Sequence, residues 1–364
     1  MARYIVRRLL MTIPTLLGVS LVVFMFVHLI PGDPARAMTR ENTSPEAIQM
    51  IRERMGLNKP LWEQYIIYML GNDTAAKLEY HWGQLTGHPI PMPEVTSSFR
   101  GVLRGDLGNS LVTGHSITGE FRVRFPATFE LAVAGMLFAM LIGIPAGIIA
   151  AVKRSTILDT ASMFVALIGV SMPIYWLGLM GIMLFAVVLH LVPTGGRLDF
   201  DVELRLLTQL YILDSLITGN LQALGDALRH LILPAVVIGT VPMGIIARMT
   251  RSSMLEALNQ DYVRTARSKG LRERAVILRH TLKNALLPII TIIGLEIAYL
   301  FSGAVLTESI FAWPGVGRWL FQSILYRDYT VIQGATLAIA VIFVFANLIV
   351  DLSYAVVDPR IRYR

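Results

Sequence analysis

Glu130, Glu296 and Asp351 are where chemistry should first be sought, because each falls in or at the edge of a long apolar run. An ionisable side chain in hydrocarbon costs at least about 2.5–3.5 kcal/mol on insertion scales, so it must face a bundle interior, a partner or water. Glu296 lies deepest in its run. It is a candidate for lining a polar pathway, with helix packing the equal alternative. Glu130 sits near the end of its run and would cap or snorkel to the interface. Asp351 is placed to pair with Arg360 or Arg362 of the tail. His81, His88 and His115 match no metal-ligand spacing and read as surface histidines, so no metal site is expected. Cysteine is absent, which excludes disulfides, thiolate metal sites and Cys nucleophiles. Nor does the chain contain G-x-x-x-x-G-K-S/T, H-E-x-x-H or G-x-S-x-G. No catalytic residue and no bound cofactor is expected, and an intramembrane enzyme would lack its nucleophile or metal set.

The elements that must position these groups are membrane spans. Of 364 residues, 54% are apolar and 16% charged, which is too apolar for a soluble protein of this size. Several runs approach or exceed the roughly 20 apolar residues that cross a bilayer. The expected fold is an all-α polytopic membrane protein with six transmembrane helices. Its spans fall at about 9–30, 126–152, 158–189, 231–247, 285–305 and 331–354. Residues 1–8 are a short basic N-terminus and 355–364 a basic tail. A cleavable signal peptide is disfavoured, since the first run exceeds the roughly 7–15 residues of an h-region and no A-x-A site follows.

Between the first two spans lies a large polar region, 31–124, with ten basic and ten acidic residues. Its balance fits the outer side. Ser44–Met55 reads as a helix with Ser44 as N-cap and Gly56 past its end, and Leu61–Leu70 as a second, amphipathic helix. Residues 72–104 show no clear period, and Pro89, Pro91 and Pro93 favour an extended path there. The third span is long enough to break near Ser171-Met172-Pro173. The outer loop from Thr194 carries net negative charge. Prolines within the spans (Pro14, Pro145, Pro173, Pro234, Pro242, Pro288) each free a backbone group. Glycines nearby (Gly143, Gly147, Gly169, Gly239, Gly244, Gly294) allow close helix approach. They read as packing sites, as hinges, or as both.

The charge is concentrated in one place. Arg248 to Pro288 holds nine Lys/Arg against three acids, a net of +6 in a chain whose total is +7. Basic loops are retained in the cytoplasm. Lys153 and Arg154 mark a second basic loop, so six spans put both termini and both loops inside. The pI of about 9.7 therefore reports orientation, not nucleic-acid binding. Within loop 248–284, Tyr262–Gly270 predicts a short transverse helix, slim at Ala266 and ended by Gly270. Leu271-Arg272-Glu273 starts a helix returning to the membrane at Pro288. A rigid knob is one reading, and a solvated loop on lipid headgroups is the other.

This loop resembles the signature of binding-protein-dependent ABC importer permeases: an alanine, three residues, a glycine and a later Leu-Pro, here Ala266, Gly270 and Leu287-Pro288. DYVRTARSKGL and LRHTLKNALLPIIT are similar to the peptide and nickel branch. So are RRLLMTIPTLLGVSLVVFMFVHLIPGDP, GDLGNS (Gly105–Ser110), SMPIYWLG (Ser171–Gly178), LTESIFAWPGVGRWL (Leu306–Leu320) and DPRIR at the tail. The resemblance covers nearly the whole chain and is nearest to the B-type permeases of dipeptide importers. Arg264-Thr265 replaces the usual leading Glu-Ala, and the spacing to Leu287-Pro288 is longer, both as in the peptide branch. Residues 72–104 look like an insertion ahead of GDLGNS.

The resemblance implies a type I importer bundle with its permease domain over 125–354, in the bacterial inner membrane. It implies a second homologous permease chain, two cytoplasmic ATPase subunits that bind the ATP and Mg, a periplasmic substrate-binding protein and a peptide substrate. Tyr262, Arg264, Thr265, Ala266, Arg267, Ser268, Lys269, Gly270 and Leu271 would couple to an ATPase. Met172, Pro173, Tyr175 and Glu296 are the candidates for the translocation path. Nickel, haem and antimicrobial peptides are alternative cargoes. A proton-coupled secondary transporter using Glu296 is the alternative class.

Overall fold

The computed structural model describes residues 2–29, 35, 44–54, 57–85 and 99–357. Among them the one β-pairing is an isolated antiparallel bridge between Asn109 and Ser116, and the regular elements are helical. His88, the three prolines of 89–93, Gly56 and the arginines of the tail lie outside the described residues, as does the Asp351 side chain with its expected pairing.

Helix α1 (Ala2–Leu29) is followed by α2 (Pro45–Arg54), α3 (Leu61–Leu70) and α4 (Asn72–Leu85). α4 corrects the reading of 72–104 as aperiodic. It is polar, with exposed and half-buried positions interleaved, so it carries little of the apolar stripe by which a helix shows itself. Next come α5 (Ile117–Val152), α6 (Ile157–Ser171) and α7 (Ile174–Gly181), the last prolonged by a π-helical turn over Ile182–Val188. A short α8 (Tyr211–Ile217) precedes the 38-residue α9 (Leu221–Leu258). The basic segment holds α10 (Asp261–Ser268) and α11 (Glu273–Ala275). A π-helical turn over Val276–Thr281 leads into α12 (Leu282–Ile310), and α13 (Val316–Leu325) and α14 (Tyr329–Val357) complete the order.

Among the described residues five helical stretches are long and apolar enough to cross a membrane, and six crossings result if α6 and α7 count as one span. That pair is bent by 100°. The cause is local: Met172, ahead of Pro173, is forced out of the helical region to φ −76°, ψ 131°. The helices outrun the apolar windows read from the sequence. α9 in particular begins ten residues before Leu231 and continues through Arg248 to Leu258, so the first part of the basic loop is the end of a membrane helix.

The chain divides into two compact units: Met1–Thr12, Arg124–Arg318 and Ile342–Arg364 in one, Ile13–Val123 and Trp319–Val341 in the other. In the first, Leu131, Met136, Ile238, Ile246, Leu300 and Trp313 form the buried centre. Helices approach there through glycine. A Cβ on Gly143 would lie 2.7 Å from the Met243 carbonyl oxygen, and one on Gly147 2.5 Å from that of Ala247. Gly244 faces the Ala166 carbonyl in the same way. Small residues let backbones meet where lipid supplies no hydrophobic drive.

In the second unit, Val23 and Phe24 of α1 pack with Tyr68 and Met69 of α3 and Leu337 of α14. Burial pushes the Tyr68 phenol up from its ordinary value. Asp328, buried, accepts from the Ser110 hydroxyl, from Leu111 N at 3.1 Å and from Val331 N at 3.3 Å. The GDLGNS segment is thereby tied to the start of the last helix.

Candidate functional site

The basic segment folds as a knob. α9 stops at Leu258, Asn259 caps it, and Gln260 turns extended before α10. α10 turns Val263 and Ala266 inward, where they are buried with Val276 against half-buried Leu258. Gly270 sits at φ +74°, a left-handed conformation costing a side-chain-bearing residue about 1–2 kcal/mol. Its N–H donates to Arg267 O at 2.9 Å, and Lys269 N donates to Thr265 O at 3.1 Å. Across the turn, Arg267 grips Glu273 with Nη2 to Oε1 at 2.6 Å and Nε to Oε2 at 3.2 Å. That hydrogen bonding raises the Arg267 pKa further. Below, Met254, Ala257, Ala285, Ile289 and Ala151 pack the stems of the knob together.

This geometry divides the nine residues grouped from the sequence. Tyr262, Arg264, Thr265, Arg267, Ser268, Lys269, Gly270 and Leu271 are exposed, whereas Ala266 is 5% exposed. The size of Ala266 answers to its contacts with Val263 and Val276, not to slimness toward a partner. Val263 is fully buried as well, and its spacing of three from Ala266 is the sequence signal of an inward helical stripe.

Among the path candidates, Met172, Pro173 and Tyr175 come together at the bend, with Pro173 and Tyr175 exposed and Met172 half-buried. Glu296 stands on α12, buried and without a hydrogen bond or ion pair among the described residues. No hydrogen bond joins it to the bend.

Glu130 does not snorkel; it takes up a helix-end donor, the first-turn N–H of α8. It is buried, accepts from Arg197 Nη2 at 2.5 Å and receives Ile212 N at 2.8 Å. The Arg197 guanidinium lies 3.5 Å above the Tyr211 ring and 5.5 Å from that of Trp313. Removing one partner from a buried pair costs about 3–5 kcal/mol, so Glu130 is an anchor for the loop before α8. Three further acids escaped the sequence reading. Asp159 opens α6 and pairs with Arg251 of α9. Glu308 accepts from Thr128 Oγ1 at 2.6 Å and Arg318 N at 2.8 Å, locking the turn between α12 and α13. Gly315 passes so close that a Cβ there would meet Glu308 Oε1 at 2.1 Å. Asp328 is the third.

Residues 143–363 match the family model described as binding-protein-dependent transport system inner membrane component, and residues 1–86 match its N-terminal companion. The chain belongs to this family. Among similar curated proteins, the dipeptide transport system permease of Alkalihalophilus pseudofirmus is 45% identical over 363 residues, spanning 100% of both chains. The dipeptide transport system permease of Escherichia coli K12 is 45% identical over 368 residues, again over 100% of each. The di/tripeptide transport system permease of Pseudomonas aeruginosa UCBPP-PA14 is 44% identical over 365 residues, with the same coverage. In this inner membrane component the knob, the bend and the buried acids all fall within the part matched by the main family model, save Glu130 just ahead of it.

Proposed function

We propose that this chain is a transmembrane permease subunit of an ATP-driven importer that carries dipeptides or short peptides across the bacterial inner membrane. The observation that supports it most is end-to-end identity of about 45% with relatives named for dipeptide transport, with no stretch of either chain left over. The chain itself is not catalytic. A second homologous permease completes the pathway, and two cytoplasmic ATPases hold the ATP and Mg. A periplasmic binding protein delivers the peptide. Both termini and the basic knob face the cytoplasm, as the distribution of Lys and Arg demands.

The geometry supports a role for each part. The exposed face of α10, from Tyr262 to Lys269, seats on an ATPase, and the Val263–Ala266–Val276 core makes that face rigid. A rigid knob transmits a push that a frayed loop would absorb. Exposed Tyr175, beside the 100° bend, faces the pathway. ATP changes the state of the bundle only by binding one conformation better than the other.

The test is uptake of labelled dipeptide into proteoliposomes holding this chain, its partner permease, both ATPases and the binding protein, with and without internal ATP. Uptake requiring ATP is expected. ATP hydrolysis without dipeptide uptake would keep the machinery and change the cargo to nickel, haem or an antimicrobial peptide. Uptake indifferent to ATP and abolished by Glu296→Gln would replace the reading with a proton-coupled transporter, the alternative favoured by the burial of Glu296 without a partner.

A further inference from the structure

We propose that Asp199, Asp226 and His230 form a binding site for one divalent transition-metal ion of the Zn2+ class, which clips the loop before α8 to the first turns of α9. Asp226 and His230 are four apart on α9 and share a face. Asp199 comes from the loop, 27 residues before Asp226. One ligand atom from each of the three lies within 4.8 Å of the others.

The case rests on His230. Its side chain is 2% exposed. Its Nδ1 lies 3.0 Å from the Asp226 carbonyl oxygen, which only accepts, so Nδ1 carries the proton. A backbone carbonyl on one ring nitrogen is the usual way in which a metal-binding histidine is oriented. This tautomer leaves a lone pair on Nε2, facing Asp199 Oδ1 at 3.6 Å. Two electron-rich atoms then confront each other, beyond hydrogen-bond distance, where the buried imidazole meets the exposed carboxylate. A cation between them resolves the conflict. Zn2+ ligands at about 2.0–2.2 Å in a tetrahedron stand roughly 3.3–3.6 Å apart; the Nε2–Asp199 pair has that spacing, and Asp226, within 4.8 Å of both, closes in when the ion binds.

The donor set selects the metal. One imidazole and two carboxylates suit Zn2+ and its neighbours, whereas Mg2+ and Ca2+ prefer oxygen alone. The site is also placed for entry. Asp199 is 59% exposed, while Asp226 is 11% exposed. The Asp199 N–H donates to Asp226 Oδ2 at 2.7 Å, so the loop is held in position before any ion arrives. The site is split between a loop and a helix and shows no compact motif. The inference is independent of the cargo.

The experiment uses full-length protein in detergent, purified without a histidine tag, stripped with EDTA and titrated with Zn2+ by calorimetry. Thermal unfolding is followed in parallel. One saturable Zn2+ per chain is expected, with a raised Tm. Asp199→Ala, an exposed change that keeps the backbone donor, and His230→Gln should each weaken binding about tenfold or more and abolish the Tm rise, since even outer-shell changes cost 10–100-fold. Absence of saturable Zn2+ binding in the wild type overturns the proposal. So does equal affinity in both variants, or equal binding of Mg2+. A Tm that responds to acidification and not to Zn2+ would assign the cluster to an imidazolium ion pair and overturn it as well.

Discussion

Arg251 holds Asp159 in a two-pronged grip, Nε to Oδ1 at 2.7 Å and Nη2 to Oδ2 at 2.8 Å. Ser155 N adds a third bond to the same carboxylate at 3.0 Å. Asp159 is 6% exposed and Arg251 29%. The pair joins the helix that ends in the knob to the helix that ends at the bend. It is thus a polar link between the helices that carry the proposed coupling face and the proposed path.

Breaking this pair from one side should be costly. Asp159→Asn and Arg251→Met should each lose about 3 kcal/mol, the low end for a buried pair because Arg251 is partly wet. Thermal unfolding of both single variants and the double variant in detergent measures the coupling. Additive losses would show that the two side chains act separately. In reconstituted transporter, the single variants should also lower peptide carried per ATP hydrolysed.

The knob should fail in two distinguishable ways. Ala266→Glu drives a carboxylate among Val263, Val276 and Leu258 and should abolish ATP-dependent uptake with the chain still inserted. Gly270→Pro should do the same through the strained turn. Arg264→Glu and Lys269→Glu alter only the exposed face, so knob stability should stay within about 0.5 kcal/mol while ATPase attachment weakens. Wild-type uptake with Ala266→Glu would remove the knob from coupling.

Orientation can be read with single thiols, because the natural chain has no cysteine. Asp201→Cys, in the exposed outer loop, should react with an impermeant maleimide in right-side-out vesicles. Lys269→Cys should react only in inverted ones. The reverse pattern would turn the whole assignment over.

Asp214 supplies a pH dependence. Burial works to raise its pKa, yet donation from the Thr208 hydroxyl at 2.7 Å and from the Leu207, Thr208 and Gln209 N–H groups outweighs it and leaves the pKa below the ordinary 3.8. A depressed folded pKa gives stability that is complete above the ordinary value and is lost as pH falls through the folded one. Asp214→Asn should therefore cost on the order of 2 kcal/mol at pH 7, and its deficit should close on acidification. Unfolding curves of wild type and variant at pH 7 and near pH 3 test this. A deficit unchanged by pH would assign the effect to shape alone.

The spans were legible because hydrocarbon thickness fixes the length of an apolar run. The bend was legible at Pro173, and the close helix approaches were legible at glycines such as Gly143 and Gly147. The partners of the buried charges were not. Glu130 meets Arg197 across 67 residues, Thr128 meets Glu308 across 180, and Ser110 meets Asp328 across 218. Periodicity says which face of a helix a residue occupies, never which distant segment will lie against it. Ala266 shows a subtler limit. A small residue reads the same whether it makes room for a partner or for its own neighbours, and only packing separates the two.

The continuity of α9 has a practical consequence for anyone building chimeras of such proteins. Its 38 residues start beside Asp226 and His230 and end at Leu258, so no joint falls at the apolar boundary near Ala247 where a graft would ordinarily be cut. A transplant made there would splice mid-helix, through the register that sets Arg251 opposite Asp159. The natural seam is Asn259-Gln260, where the backbone leaves the helix, and an exchanged knob should be joined at that point.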